Sequence, residues 1–498
     1  MKINHRVPQQ RHEDKDENKV LIATNIFRAY DIRGIYPEEL NEIVAYRVAR
    51  AMIEFYPDVK KLVIAYDPRI SSPALSQAVI NGFLDSGKEV INIGIAPDPL
   101  FYFTIWHYNY DGGIMISGSH NPKEYNGMTL NIKKLAKSKP PHQNFGGGGK
   151  PEDIIQEELQ KIKERVLEER EFKTPAKGNV QKFDPANDYI NYVKQRINLK
   201  KPLKVIIDSA NGACGYLPEK VFKELGCEVK TLYGDFDGTF PNHPPDPYKA
   251  ENLKDIKEMV LKEKADIGFA FDTDGDRVAP IDDKGRQVSG DFCLSMLARQ
   301  ALEKKKGPIV HCMRVSKALL DEMSKQGVKT YFSVSHHGAI AKKIPEVNAV
   351  FGGETTYHFF FPLDYYLCDD ALFASLKLAE IVSRYEDFSQ YIDTLPSFYA
   401  SPEVFVQTAD EEKFKIIDNL QKYLRENHYD FIDVDGARIN FPHGWALARA
   451  ANTSPYIKCR FEGDSKEHLI EIEREALEIF KKVGIPVTKK TYRELGLK

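Results

Sequence analysis

Three aspartates alternate in the stretch FDTDGDRVAPIDDKGR (271–286): Asp272, Asp274 and Asp276 follow the apolar run IGFAF. In an extended segment residues two apart project to the same side, so these carboxylates would crowd one another. A hard divalent cation is the natural neutraliser of such a group. Arg277, next in the chain, could offset the charge of a bound phosphate. An EF-hand does not fit, because counting from Asp272 puts Arg277 where that loop needs glycine and Asp283 where it needs glutamate. The chemistry suggested is metal-assisted handling of a phosphate.

A second stretch, IMISGSHNPKEYNG (114–127), ends a buried strand and places Ser119 in the turn that follows. Such a serine is either a loop residue or a nucleophile. A hydrolase elbow needs glycines two positions to either side, and Ser117 and Asn121 stand there instead, so a serine hydrolase is disfavoured. Two further stretches carry weaker signals. In FGGETTYHFFF (351–361) paired glycines allow close approach of a ligand, and Glu354, Thr356 and His358 offer hydrogen-bonding groups. In WALARAANTSPYIKCRFEG (445–463) Arg449, Asn452, Thr453 and Ser454 form a donor-rich loop suited to phosphate oxygens. Taken alone, each of these two reads better as an ordinary turn.

The elements that must position these groups follow one rhythm. KLVIAYDPR (61–69) reads as a strand entering a loop, and SSPALSQAVINGFLDSG (71–87) as the helix after it, with Ser72 as its cap and Pro73 in its first turn. Strand, polar turn, helix and strand recur through LKVIIDSANGACG, ADIGFAFDTDGDR, GPIVHCMRVS and NAVFGGET, which is the pattern of α/β units with mostly parallel sheets. The segment 151–171 has the spacing of a charged amphipathic helix. Linkers are expected at 136–150, rich in Pro and Gly, and near 394–402. The last hundred residues read as an α+β unit.

At 498 residues the chain is too long for one ordinary core. Its 70 basic and 73 acidic residues leave a net charge of -3, which argues against a dedicated nucleic-acid binder. Six scattered cysteines without a C-x-x-C pair read as reduced structural thiols. The polar first nineteen residues lack a signal-peptide core, and no run of apolar residues is long enough to span a membrane. A cytoplasmic protein with a flexible tail over 1–19 is expected.

The order of the four stretches, together with FRAYDIRG (27–34), FPNHPPDPYKAENL (240–253) and DVDGARINFPHGWALARAANTSP (433–455), resembles the α-D-phosphohexomutase superfamily along almost the whole chain. The bacterial phosphomannomutase/phosphoglucomutase branch is the most similar. The resemblance implies four domains around a central cleft, three related α/β domains with mixed, mostly parallel sheets and a C-terminal α+β domain. Their expected spans are 20–180, 181–286, 287–397 and 398–498. It implies interconversion of hexose 1- and 6-phosphates by a monomer or homodimer, with Mg²⁺ and a hexose 1,6-bisphosphate as activator and intermediate. The alternatives are a mutase for an amino sugar or pentose phosphate, or a sugar-phosphate-binding regulator.

The same resemblance implies roles. Ser119 carries the phosphoryl group, and with Asp272, Asp274 and Asp276 it binds the metal ion. Glu354, Thr356 and His358 read sugar hydroxyls, while Arg449, Asn452 and Thr453 hold the phosphate that is not transferred. Arg33 and Arg69 support the phosphoserine loop. The pattern also frays: Thr129 and Arg314 stand where lysines are usual, Tyr357 and Ala339 where glycine and histidine are usual, and Ala451 where serine is typical. Arginine binds phosphate but is a poor base, which leaves His120 as the candidate acid/base. Tyr357 is expected to narrow the space beside Glu354.

Overall fold

The computed structural model describes residues 22–28, 30–134, 150–168, 172–174, 177–451 and 455–497. The expected tail and nearly all of the expected linker at 136–150 lie outside these residues, as do Asn452 and Thr453.

Four sheets follow one another along the chain. The first contains β1 (Ile32–Ile35), β2 (Lys61–Tyr66), β3 (Glu89–Ile95), β4 (Gly112–Ile116), β5 (Tyr125–Lys134), β6 (Lys150–Asp153) and β7 (Asn179–Lys182), in the order β1-β5-β4-β2-β3-β7 with β6 beside β5. The second contains β8 (Lys204–Asp208), β9 (Glu228–Leu232), β10 (Ile267–Phe271) and β11 (Val278–Asp282), in the order β11-β10-β8-β9. The third contains β12 (Ile309–Cys312), β13 (Thr330–Ser333), β14 (Phe351–Gly353) and β15 (Phe359–Phe360), in the order β13-β12-β14-β15.

Within each of these sheets four strands share one plan. The first strand pairs in parallel with the second on one side and with the third on the other, and the fourth returns antiparallel beside the third. The repeated rhythm of the sequence is therefore a repeated topology. Its physical basis is the apolar run in each first strand, such as LVIA in β2 and VII in β8, which suits strands covered on both faces. The fourth sheet, built from β16 (Tyr399–Ala400), β17 (Val404–Gln407), β18 (Phe431–Ile432), β19 (Ala437–Phe441), β20 (Gly444–Ala450) and β21 (Tyr456–Gly463), is wholly antiparallel.

One apolar core runs without a break from Phe101 through Tyr189, Phe269 and Phe351 to Phe373, so the first three units are packed together rather than strung on linkers. Truncating one such aromatic to alanine would cost about 3–5 kcal/mol. The fourth unit has a separate core and is joined to the third by a small apolar cluster of Met313, Trp445 and Leu447 and by polar contacts. The buried Arg438 guanidinium donates to the carbonyls of Met313 (2.6 Å) and Val315 (2.7 Å) and lies over the Trp445 ring.

Two local expectations are corrected, and the linker expected near 394–402 gains a two-residue strand. The helix expected over 151–171 is Glu157–Leu167, because residues up to Asp153 pair as β6 with β5. Its Leu159, Ile162 and Val166 are buried, so only one face is solvated. The cap of the helix Ser72–Asp85 is Ser71; Ser72 lies inside the helix and its hydroxyl donates to Asp67 at 2.6 Å. The 394–402 stretch supplies β16, which pairs with β21.

Candidate active site

The loop after β4 is held from beneath. Arg69, fully buried, pairs through Nε with Asp67 (2.9 Å) and donates from its terminal nitrogens to the carbonyls of Ser119, Asn121, Pro122 and Tyr125. Gly118 permits this approach, since a Cβ there would lie 2.5 Å from the guanidinium. Asp67 also accepts from the Gly118 amide and lies 3.0 Å from the Ser117 hydroxyl, and the Ser119 amide donates to the Ser117 hydroxyl at 2.8 Å. Ser119 is thereby fixed at φ +45°, in the left-handed region. Arg33 closes the other side by donating to the Gly118 carbonyl and the Asn121 side chain, both at 2.8 Å.

The Ser119 hydroxyl faces the aspartate loop across the junction of the first two units. Its Oγ donates to Asp272 at 3.4 Å and lies 3.4 Å from His120 Nδ1. The three aspartates converge by a different route from the one their alternation suggested. Residues 272–277 form a turn, with Gly275 at φ +71° and Asp272 Oδ1 accepting from the amides of Gly275 and Arg277. Asp274 accepts from the Ser117 hydroxyl at 2.8 Å, and Asp276 points toward His358.

All three aspartates are buried, and neither Asp274 Oδ1 nor Asp276 Oδ1 meets a hydrogen-bond donor. Acceptor-only atoms left unpaired in a dry site are costly unless a cation meets them. Burial, and then the neighbouring carboxylates, push Asp272 well above the ordinary carboxylate range. This donor set fits a hard divalent ion. A fourth carboxylate, Asp98, brings an oxygen within 4.8 Å of Asp274 and Asp276. The sequence concealed it as an acidic first residue of the helix Asp98–His107.

Arg277 lies at the centre. Its Nε donates to His358 Nε2 at 2.9 Å and its Nη1 donates to His120 Nδ1. Burial opposes its charge, but Asp276, Asp272 and Asp274 more than restore it. His358 in turn donates from Nδ1 to Asp369 at 2.7 Å, which fixes its tautomer. Asp369 is held well below its ordinary range, because His337 and His358 outweigh its burial. Burial and the nearby Arg277 and Arg33 keep His120 uncharged.

A cavity of about 400 Å³ joins these groups to the other two units. From the third come Arg314, Glu354, Thr356 and His358, and from the fourth Arg449 and Lys458; Thr129 lines the first-unit wall. Arg314 reaches Thr356 (3.3 Å) and Glu403 (3.4 Å), while Glu354 Oε1 is buried without a donor. Arg449 is paired with Asp435. His336 stacks on Tyr30 at 3.9 Å along the cleft, and His337 lies 3.5 Å from Asp369.

Tyr357 does not narrow the sugar side of the cleft. Its backbone takes φ +73°, and this turns the ring into the core, where its hydroxyl donates to the Val288 carbonyl (3.0 Å) and accepts from Gln287 (3.1 Å). Sequence reasoning also missed Asp369, because Asp370 beside it reads as a helix cap, which it is: its side chain accepts from the Phe373 amide. The one signal for Lys458 was its place, with Arg460, on the polar side of the alternating strand YIKCRF.

Comparison with known proteins covers the same ground. The four domain descriptions of phosphoglucomutase/phosphomannomutase match in order: alpha/beta/alpha domain I over 24–144, domain II over 187–285, domain III over 289–399 and the C-terminal domain over 403–479. A phosphomannomutase/phosphoglucomutase of Pseudomonas aeruginosa is 32% identical over 91% of this chain and 94% of its own length. A phosphoglucomutase of Neisseria meningitidis is 33% identical over 91% of this chain and 96% of its own. A crystal structure of a phosphoglucomutase/phosphomannomutase family protein from Burkholderia thailandensis superposes with a TM-score of 0.84 at 30% identity, covering 94% of this chain and 99% of that one.

Proposed function

The chain belongs to the phosphoglucomutase/phosphomannomutase family, and on that premise we propose that it interconverts hexose 1-phosphates and hexose 6-phosphates, of glucose, mannose or both, by passing a phosphoryl group through Ser119. The observation that carries this reading is one cavity in which Ser119, the aspartate turn, the Glu354 loop and Arg449 all meet.

Asp272, Asp274, Asp276 and Ser119 are the groups that would hold Mg²⁺, and the buried oxygens of Asp274 and Asp276 that accept no hydrogen bond support that choice. When bound, the ion neutralises charge on the phosphoryl oxygens. The remaining work falls to the chain. Phosphoryl transfer is mostly positioning and charge stabilisation. Arg277, braced by His120 and His358, presents a guanidinium beside Ser119 Oγ. Arg69 and Arg33 hold the loop that carries the serine.

Glu354 and Thr356 orient the sugar, with Arg314 behind them, while His358, both of whose ring nitrogens are engaged, braces Arg277. Arg449, Asn452 and Thr453 hold the phosphate that is not being transferred. A remote clamp sets the same reacting distance for either end of the sugar. Phospho-Ser119 gives its group to the free hydroxyl, the hexose 1,6-bisphosphate turns round in the cleft, and its other phosphate returns to Ser119.

A coupled assay tests the reading, using glucose 1-phosphate, mannose 1-phosphate and glucosamine 6-phosphate with Mg²⁺ and glucose 1,6-bisphosphate. Turnover of glucose or mannose 1-phosphate is expected. Turnover of glucosamine 6-phosphate alone would replace the substrate, and turnover of none would overturn the reading.

A further inference from the structure

The transfer needs a group that removes a proton from the attacking sugar hydroxyl, and most titratable groups of the cleft are already committed. The Nδ1 lone pair of His120 accepts from Arg277, and both ring nitrogens of His358 are engaged. His336 Nδ1 accepts from the Gly338 amide, and His337 is turned to Asp369 and Asp153. Thr129 and Arg314 offer no usable base at neutral pH. Lys458 differs. It projects from β21 into the same cavity as Ser119, makes no hydrogen bond among the described residues, and has Glu403 as its nearest carboxylate at 3.9 Å.

We infer that Lys458 is a catalytic residue of this chain, the base for the sugar hydroxyl in the first transfer and the acid for the departing sugar oxygen in the second. The inference rests on the role proposed above for Ser119. In the first transfer the sugar oxygen bonds to phosphorus and its proton passes to Lys458 Nζ. The Ser119 Oγ–phosphorus bond breaks, and Oγ takes a proton from water in the cleft. In the second transfer Ser119 Oγ bonds to the other phosphate and loses its proton to water. The sugar oxygen leaves with the proton held on Nζ, so the lysine ends as it began.

The surroundings suit that task. Glu403 and Phe405 face the ammonium from beside and within β17, Arg449 from β20, and Arg314 and Arg277 from across the cleft. Burial, only partly offset by Glu403 and reinforced by the three guanidiniums, lowers the Lys458 pKa from its ordinary value. A base at this work needs a neutral fraction near working pH. Lys458 lines the same cavity as Ser119 and His120, so the ammonium and the serine hydroxyl open onto one space.

The test compares the wild type with Lys458→Ala, Lys458→Met and Lys458→Arg. The expected result is a fall in kcat of about 10²-fold or more in all three, with the calorimetric Kd for glucose 1-phosphate within about threefold of the wild type. Methylamine and ethylamine added to Lys458→Ala should restore turnover in proportion to their basicity. Retained activity in Lys458→Arg together with a raised Kd in Lys458→Met would show a phosphate-binding cation instead and overturn the proposal. So would wild-type kcat in Lys458→Met, or absence of amine rescue in a folded Lys458→Ala. If the wild type turns over no hexose phosphate, the reading of Ser119 fails and this proposal falls with it; if the wild type is active, these outcomes judge Lys458 alone.

Discussion

Arg69 and Ser119 are joined through the backbone: the guanidinium donates from Nη2 to the Ser119 carbonyl at 2.6 Å while its Nε pairs with Asp67. Its remaining donors go to Asn121, Pro122 and Tyr125, so no face of Arg69 is left for a substrate. It positions the loop and does not meet the phosphate. Arg69→Met should therefore leave the buried Asp67 carboxylate without its counter-charge and cost about 3–5 kcal/mol of stability. Arg69→Lys should recover little, because a point ammonium cannot reach four carbonyls at once. Urea denaturation measures both; wild-type stability in Arg69→Met would contradict the role.

Tyr357 bears on specificity by its absence from the cleft. Tyr357→Phe removes a hydrogen bond to the Val288 carbonyl and should cost about 1 kcal/mol. It should leave the ratio of kcat/KM for glucose and mannose 1-phosphates unchanged within about twofold, since the ring does not face the sugar. A large change in that ratio would place the hydroxyl in the substrate path.

Much of this architecture was legible before any coordinates. The alternation of short apolar runs with amphipathic stretches is a local signal, and it yielded three α/β units whose sheets share one strand order. Ser119, Asp272 and Arg277 were legible because each follows the end of a buried strand, where α/β sheets place their ligands. What escaped depends on contacts between units. Asp369 and Asp98 look like helix-start acids in the chain, and only packing brings them to His358 and Asp274. Tyr357 was misjudged because spacing says nothing about a positive φ, and that angle turned the ring away. The aspartate alternation pointed to residues that lie together for a different reason, a turn in place of a strand.

Cation binding should be visible without turnover. A divalent ion that meets the buried oxygens of Asp274 and Asp276 stabilises the native state by about 2.7 kcal/mol at a hundred times its Kd. Mn²⁺ should therefore raise the Tm of the chelator-treated protein by several degrees. The rise should vanish in Asp274→Asn, followed by scanning calorimetry. An equal rise in both proteins would place the ion elsewhere.

Glu473 gives a pH prediction far from the cleft. It is buried in the helix Lys466–Lys482, and burial pushes its carboxyl from an ordinary 4.5 to about 7. The native state thus favours the protonated form. Its contribution to stability is fully present below pH 4.5 and is lost as pH rises through about 7. Glu473→Gln should raise Tm at pH 8 and lose that advantage by pH 5. An advantage that grows toward low pH would reverse the sign and contradict the argument.

The central claim is that Ser119 carries the phosphoryl group between substrates. Glucose 1,6-bisphosphate labelled with ³²P in its phosphates should label the wild-type protein on Ser119 alone, adding about 80 Da by intact mass. Unlabelled glucose 1-phosphate should then remove the label as bisphosphate, and Ser119→Ala should take up none. Label on another residue, or turnover by a folded Ser119→Ala at the wild-type rate, would contradict the account.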